Sequence, residues 1–169
     1  MEAKDPTLIL DHWEIEQKVR RMAHQVLEEH YKEKQIVFVA VKGMGTLVAE
    51  LLLQEFTKAS DIPATLVHLE IDKQKPLNSE IATSEPLKFM KGKIVILIDD
   101  VLNSGRTLIY AASHLLDAGP KVLRTFVLVD RIHRKFPIRA DYVGLTLSTN
   151  LKEHVTVEKE NSKFSAYLV

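Results

Sequence analysis

The sequence predicts an α/β protein in which a mostly parallel, twisted sheet is flanked by helices. Runs of largely apolar residues rich in β-branched side chains, as in residues 36–41, 94–98 and 122–129, are typical of strands covered on both faces, and residues 94–98 contain only isoleucine, valine and leucine. Two of these runs precede segments with apolar residues at helical spacing, residues 47–58 and 106–117. Because strands and helices alternate and crossover connections are right-handed, the strands are expected to lie parallel to one another.

Length and composition indicate one globular domain, expected to comprise residues 1–169. The absence of cysteine excludes disulfides and thiolate metal sites. The 23 basic and 23 acidic residues give no net charge, so the overall charge does not favour a nucleic-acid partner. The N-terminal segment lacks the pattern of a signal peptide, and no apolar run is long enough to cross a membrane. We therefore expect a cytoplasmic protein without a membrane partner.

The first helix is predicted directly after a short edge strand at residues 8–10, with Asp11 as its cap. Three cations of this helix, Lys18, Arg20 and Arg21, fall outside its apolar face and are expected to be exposed. A charged stripe of this kind marks either a solvated helix surface or a contact with nucleic acid. The charge pattern alone favours the solvated surface.

A glycine-rich turn follows the strand predicted at residues 36–41. It consists of Lys42, Gly43, Met44 and Gly45. The two glycines allow the backbone to approach an anion closely, and Lys42 supplies positive charge. The third glycine of a dinucleotide-binding fingerprint is missing. The turn is therefore either an anion-binding turn or a helix entry without a chemical role.

An acid pair, Asp99 and Asp100, is expected where the strand predicted at residues 94–98 ends. A small polar turn then opens the next helix, and its residues are Asn103, Ser104, Gly105, Arg106 and Thr107. Small residues at a helix N-terminus let backbone N–H groups converge on a phosphate. Carboxylates accept hydrogen bonds from the vicinal hydroxyls of a ribose and attract divalent cations. A ribose with a 5′-phosphate would supply a partner for the turn and for the carboxylates. The alternative to a ligand site is a buried strand followed by a capped helix, with the two aspartates exposed to solvent.

The run VILIDDVLNSGRT, residues 95–107, resembles the signature of type I phosphoribosyltransferases, which bind 5-phosphoribosyl 1-pyrophosphate (PRPP). The resemblance implies a single-domain type I phosphoribosyltransferase fold with a flexible lid loop at residues 72–90 and a small hood. It also implies Mg²⁺ as cofactor, held indirectly by Asp99 and Asp100 through PRPP and water. The catalytic residues would be Asp99, Asp100 and Arg131.

The same resemblance assigns PRPP to the two turns. The 5′-phosphate would bind at Asn103, Ser104, Gly105, Arg106 and Thr107, and the pyrophosphate at Lys42, Gly43, Met44 and Gly45. Two features depart from the family pattern. Met44 stands where relatives often carry arginine, and the lid lacks the Tyr-Arg-Asp-Asp-like residues of close relatives. The first departure implies weaker pyrophosphate binding or assistance from another residue, and the second bears on turnover more than on PRPP binding.

The run LVDRIHRKFPIRADYVGLTLST, residues 128–149, is similar to the bifunctional pyrimidine operon attenuator and uracil phosphoribosyltransferase family. This implies base recognition in a hood and base loop at residues 130–144, together with the C-terminal strands predicted at residues 155–158 and 164–168. The base-binding residues would be Val101, Asp130, Arg131, Ile132 and His133. An RNA-contact surface would comprise Lys18, Arg20, Arg21, Arg134, Lys135 and Arg139. By composition alone, the basic loop is more often solvated than functional.

A hypoxanthine-guanine phosphoribosyltransferase is the main alternative, and two residues argue against it. That class places an aspartate at the position of Asn103, where it handles the proton on N7 of the purine. The asparagine side chain cannot exchange a proton near neutral pH. It also places a lysine at the position of Asp130, whose carboxylate would repel a purine 6-oxo group. The sequence therefore favours transfer to uracil.

A second alternative is an RNA-binding regulator that senses a nucleotide or PRPP and has little catalytic activity. The expected partners are PRPP, a nucleobase and an mRNA leader. From the family we expect a homodimer or a higher homo-oligomer.

Overall fold

The computed structural model describes residues 5–169, which form nine strands and three α-helices. The strands are Thr7–Leu10 (β1), Ile36–Val41 (β2), Ala64–Glu70 (β3), Ala82–Thr83 (β4), Ile94–Leu102 (β5), Val122–Asp130 (β6), Tyr142–Thr146 (β7), Val155–Glu160 (β8) and Lys163–Leu168 (β9). The helices are His12–His30 (α1), Met44–Ala59 (α2) and Arg106–Leu116 (α3), and Leu87–Met90 forms a 3₁₀ turn. Within this part of the chain, no helix has the length and apolarity needed to cross a bilayer.

The main sheet has six strands in the order β4-β3-β2-β5-β6-β7. Its pairs are parallel except for β4, which runs antiparallel to β3. All six residues of β2 are buried, because apolar clusters cover both faces of the sheet. Phe38 of β2 packs edge-on against Phe56 of α2 on one face, and Leu108 and Leu115 of α3 belong to the cluster on the other. The predicted α/β class with a mostly parallel sheet is confirmed.

Helix α1 begins with the cap that the sequence predicts. The Asp11 carboxylate accepts a hydrogen bond from Glu14 N at 2.8 Å, and the Glu14 carboxylate accepts one from Asp11 N at 2.9 Å. The helix buries one face against the sheet and α2, which leaves Arg20 and Arg21 exposed as expected. Lys18 is half-buried.

The hood is a separate antiparallel sheet of three strands in the order β1-β9-β8. A tight turn joins β8 to β9, with Asn161 and Ser162 in the left-handed region at φ +48° and +66°. The predicted C-terminal hairpin is therefore present, and its strands are longer than expected. The edge strand predicted at residues 8–10 pairs with β9, which brings the two ends of the described chain together.

Two predicted boundaries are wrong. Strand β5 does not end before the acid pair, because Asp99 and Val101 stay paired with Val127 and Val129 of β6 and the strand continues to Leu102. The segment predicted as a loop at residues 130–144 ends in the first residues of β7. Its entry is fixed by Asp141, whose carboxylate accepts a hydrogen bond from Thr125 N at 2.8 Å.

Candidate functional site

A cavity of about 200 Å³ lies at the carboxyl end of β5, the edge of a parallel sheet at which ligands bind. Strands β2 and β6 flank β5 on opposite sides, so the turns after all three strands lie along the same edge. The cavity is lined by Lys73, Asp99, Asp100, Val101, Leu102, Asn103, Ser104, Gly105, Arg106, Thr107, Leu108 and Val155. The predicted acid pair and the predicted phosphate turn thus share one cavity.

The acid pair carries a strongly perturbed carboxyl group. Asp99 is only 3% exposed, and its Oδ1 accepts a hydrogen bond from Asp100 N at 3.0 Å. Burial, reinforced by the Asp100 carboxylate, raises the pKa of Asp99 from 3.8 to about 8. The ammonium group of Lys73, 3.3 Å from the same oxygen, opposes this rise in pKa. Without a ligand Asp99 therefore keeps a proton at neutral pH, and a cation bound at the pair would favour its ionised form.

The turn before α3 lines the cavity with Ser104 and Gly105. Gly105 adopts φ +85°, a left-handed conformation that favours glycine, and as the N-cap residue it has no side chain to cap the helix. The N–H of Arg106 donates to Ser104 Oγ at 3.3 Å, and Thr107 and Leu108 of the first turn of α3 also line the cavity. This is the arrangement in which a helix N-terminus binds a phosphate.

The segment after β6 packs against this turn. The N–H groups of Lys135 and Phe136 donate to Ser104 O at 2.8 and 3.1 Å. A Cβ on Gly105 would lie 2.7 Å from Ile138 Cγ2, so the turn has no room for a larger residue. The shape of the phosphate turn thus depends on residues 135–138.

The glycine-rich turn after β2 also meets the acid pair. Gly43 adopts φ +108° at the start of α2, and no side chain caps that helix either. A Cβ on Gly45 would lie 3.1 Å from Asp99 Oδ1, so the turn touches the carboxylate because residue 45 is glycine. The turn can therefore approach a ligand held by the acid pair through its backbone.

The side chains of the glycine-rich turn contribute less to the candidate site than the backbone of the turn does. Lys42 Nζ lies 3.0 Å from Glu70 Oε1, an exposed pair of small energetic value. Lys42 borders a neighbouring cleft with Thr46 and His68, and it is not among the residues that line the main cavity. The side chain of Met44 packs against the core.

Arg131 ties the end of β6 to two other segments. It is 5% exposed, and its Nη1 donates to Asn103 Oδ1 at 2.7 Å, while its Nε donates to Thr149 Oγ1 at 3.2 Å. Its Nη2 donates to the carbonyl oxygen of Glu153, and His133 Nε2 lies 2.5 Å from Thr149 O. Arg131 and His133 thus hold the segment of residues 149–153 beside the phosphate turn.

Asp130 holds two further residues of the base loop, Ile132 and Arg134. One of its carboxylate oxygens accepts a hydrogen bond from Ile132 N at 2.9 Å, and the other accepts one from Arg134. Ile132 adopts φ +59°, a costly conformation for a β-branched residue, and its side chain is half exposed. The Asp130 carboxylate is therefore used within its own loop.

The predicted RNA-contact residues fall into two groups. Arg20 pairs with the buried Glu55 carboxylate at 3.0 Å, Arg21 donates to Val143 O at 2.7 Å, and Arg134 pairs with Asp130. Lys135 and Arg139 are exposed on the loop after β6, and Lys18 is half-buried on α1.

Four residues of the site did not emerge from the sequence: Lys73 and Val155, which line the cavity, and Thr149 and Glu153, which bind Arg131. Lys73 stands near the end of β3, and a cation near the carboxyl end of a parallel strand is a signal that could have identified it. Arg106 Nη1 also donates to Gln74 O at 3.2 Å, so the segment after β3 touches both the acid pair and α3. This segment lies at the start of the predicted lid.

Comparison with known proteins gives a family for this arrangement. Residues 7–161 match the family described as phosphoribosyl transferase domain. A protein of Haemophilus ducreyi named Bifunctional protein PyrR is 36% identical over 162 residues, which is 91% of this chain and 90% of that protein. A protein of the same name from Enterococcus faecalis is 34% identical over 161 residues, 90% of this chain and 89% of that protein.

Two solved structures show the likeness of fold. The hypoxanthine phosphoribosyltransferase of Trypanosoma cruzi superposes with a TM-score of 0.78 at 16% identity and covers 95% of both chains. A hypoxanthine-guanine phosphoribosyltransferase of Bacillus anthracis superposes with a TM-score of 0.75 at 20% identity, over 98% of this chain and 99% of that one. At such low identity the likeness concerns the fold alone.

Proposed function

The chain belongs to the phosphoribosyltransferase family, and we propose that it transfers the 5-phosphoribosyl group of PRPP to uracil. The family resemblance predicted from residues 95–107 and 128–149 is confirmed by the match to that family and by the relatives named PyrR. The observation that carries the proposal is the presence of the acid pair and the phosphate turn in one cavity. The two features suit the two parts of a ribose 5-phosphate.

In this proposal the cavity orients PRPP from both ends. The first turn of α3 and the Ser104 to Thr107 backbone hold the 5′-phosphate, and Arg106 adds positive charge there. Asp99 and Asp100 accept hydrogen bonds from the ribose hydroxyls. The turn of Lys42 to Gly45 receives the pyrophosphate, chiefly through backbone N–H groups. Because the reacting atoms are held in place, much of the rate enhancement comes from positioning.

The chemical step joins a pyrimidine nitrogen to C1 of the ribose. The C1–O bond to pyrophosphate breaks, the leaving group takes the electron pair, and the proton of the ring nitrogen is released. Positive charge develops on the ribose while this happens. The carboxylate of Asp100 stabilises that charge, and so does Asp99 once a bound cation has lowered its pKa. Both do so most effectively where water is excluded.

Mg²⁺ is the cofactor that this chemistry implies, and the acid pair fits it. Within residues 5–169 no group of three or more His, Cys, Asp or Glu side chains would hold a metal ion by itself. Mg²⁺ commonly binds through one or two carboxylates together with substrate phosphates and water. Asp99 and Asp100 would hold it in this indirect way. When bound, the ion neutralises the charge that accumulates on the departing pyrophosphate.

Uracil is favoured over a 6-oxopurine by Asn103 and Asp130. Asn103 cannot act as a base near neutral pH. The carboxylate of Asp130 is bound within its own loop, so the position offers no cation to a purine oxygen. The names of the sequence relatives agree with pyrimidine chemistry.

The experiment that tests the proposal is pyrophosphate release from PRPP and Mg²⁺, with uracil, hypoxanthine, guanine and adenine supplied separately. Release with uracil alone is expected. Release with a purine would contradict the base assignment. PRPP binding without release with any base would indicate a regulator rather than an enzyme.

RNA binding is a second candidate function, favoured by the word bifunctional in the relatives' names and by the exposed Lys135 and Arg139. Because Arg20, Arg21 and Arg134 already have partners within the chain, Lys18, Lys135 and Arg139 would carry most of such a contact. Binding to phosphates weakens steeply with salt. A pyrimidine leader RNA with uridine 5′-monophosphate should therefore bind less tightly as salt rises, and a salt-independent signal would contradict the idea.

A further inference from the structure

Asn103 lines the cavity with a side chain whose orientation is defined by its neighbour. Arg131 Nη1 lies 2.7 Å from the carboxamide of Asn103. A guanidinium group only donates hydrogen bonds, so the carboxamide atom that faces it is the oxygen. The amino group, Nδ2, therefore points away from Arg131. Because Asn103 is exposed and borders the cavity, this side chain offers a hydrogen-bond donor to a bound ligand.

Arg131 is itself held in place. It is buried, and its other nitrogens donate to Thr149 Oγ1 and to the carbonyl oxygen of Glu153. A guanidinium with three partners on two separate segments has little freedom to turn. The orientation of the Asn103 carboxamide is therefore built into the protein before a ligand arrives.

The contact with Arg131 directs the Asn103 side chain toward the β6 side of the site. The glycine-rich turn that receives the pyrophosphate follows β2, whereas Arg131 follows β6, and these strands flank β5 on opposite sides. In a displacement at C1, the attacking nitrogen approaches opposite to the bond that breaks. If pyrophosphate leaves toward the β2 side, the base enters from the β6 side, where Asn103 and Arg131 meet.

We infer that Nδ2 of Asn103 donates a hydrogen bond to a carbonyl oxygen of the pyrimidine, with Arg131 as the positioning residue that fixes the carboxamide. The inference rests on the proposed function and moves Asn103 from the phosphate subsite, where the sequence places it, to base recognition. A base with a carbonyl oxygen next to Nδ2 of Asn103 accepts this hydrogen bond. A base with an amino group there leaves two donors facing each other and is rejected.

The test compares two ligands that share a phosphate and a ribose. Calorimetry would measure uridine 5′-monophosphate and ribose 5-phosphate binding to the wild-type protein and to the variant Asn103→Asp. Aspartate keeps an oxygen toward Arg131, so the fold is preserved, and it replaces only the donor at the cavity by an acceptor. Because both ligands carry the same phosphate, the ratio of their dissociation constants cancels the effect of the added charge. Asn161→Asp, in the exposed turn between β8 and β9 and outside the cavity lining, is the matched control.

The expected result is that the wild-type protein and Asn161→Asp bind uridine 5′-monophosphate more tightly than ribose 5-phosphate, and that Asn103→Asp reduces this preference by about tenfold or more. An unchanged preference in Asn103→Asp overturns the inference. An equal loss for both ligands in that variant, beyond the loss in Asn161→Asp, also overturns it and returns Asn103 to the phosphate. Failure of the wild-type protein to bind ribose 5-phosphate contradicts the proposed function instead, so the two ideas fail in different ways.

Discussion

The ammonium group of Lys73 lies 3.3 Å from Oδ1 of Asp99, so the segment after β3 supplies a cation to the acid pair. The neighbouring Gln74 carbonyl accepts a hydrogen bond from Arg106. These two contacts hold the start of the predicted lid over the cavity. Any cationic ligand of the acid pair must compete with Lys73.

Lys73→Met is expected to raise the pKa of Asp99, because the ammonium group is the charge that opposes the rise. It should also speed amide hydrogen exchange in residues 72–80 by a factor of about two to five, since a half-exposed ion pair is worth a fraction of a kcal/mol to about 1 kcal/mol. Carboxyl NMR and hydrogen exchange would measure the two effects. Lys75→Met is the control, because Lys75 is exposed and outside the cavity lining. No change in either quantity would mean that the contact does not form in solution.

The stability of the protein should depend on pH through Asp99. Burial and the Asp100 carboxylate raise its pKa from 3.8 to about 8, so the folded state holds this proton more tightly than the unfolded state. The resulting stabilisation is fully present below the unfolded pKa and is lost as pH rises to the folded value. Asp99→Asn carries no such proton and should gain stability relative to the wild-type protein between about pH 4 and pH 8.

Urea denaturation of both proteins across this range would check the prediction for Asp99. The two stability curves should converge at the acid end and separate at the alkaline end, with the variant more stable. A constant difference at all pH values would show that Asp99 is ionised in the folded protein throughout.

Gly105→Ala is expected to cost more stability than Gly92→Ala. Both glycines adopt a left-handed φ, +85° and +68°, so each substitution carries a backbone cost of about 1 kcal/mol. Only at residue 105 would the new Cβ also meet another atom, Ile138 Cγ2 at 2.7 Å, and nothing lies within 4 Å at residue 92. Urea denaturation should show a further loss of roughly 1 kcal/mol or more for Gly105→Ala. Equal losses would mean that Ile138 moves aside without cost.

Substitutions of Arg20 and Lys135 should have different effects, the first on stability and the second on RNA binding. Arg20 is half exposed and pairs with the buried Glu55, which also pairs with Lys58, so Arg20→Gln is expected to lower the free energy of unfolding by about 1 kcal/mol. RNA binding should change little. Lys135→Gln should leave stability unchanged and lower the salt dependence of RNA binding by about one phosphate contact. The reverse pattern in denaturation and filter-binding measurements would contradict this division.

The centre of the main sheet was predictable because its strands are buried on both faces. The apolar run of residues 36–41 coincides with β2, and all six side chains are buried. A strand of this kind can be predicted without knowing which strands lie beside it, because burial on both faces requires apolar residues at every position. The acid pair and the phosphate turn were predictable for a similar reason, since they are contiguous in the chain.

The elements that were missed depend on pairing between distant segments. Strand β5 extends through Asp99 and Asp100 because β6 continues beside it, although the charged residues interrupt the apolar pattern. The partners of Arg131, which are Asn103, Thr149 and Glu153, lie 28, 18 and 22 residues away along the chain. Nothing in the local sequence of Arg131 distinguishes a residue that joins three segments from one that faces a ligand.

The hood has a consequence for protein synthesis. Strand β1 is synthesised long before its partner β9, with Thr7 opposite Leu168. Strand β1 must therefore remain unpaired until β9 has left the ribosome, while the parallel sheet can already form. Val155 of β8, which lines the cavity, is also made after the strands of the parallel sheet. A nascent chain thus acquires its complete ligand cavity only when β8 has left the exit tunnel.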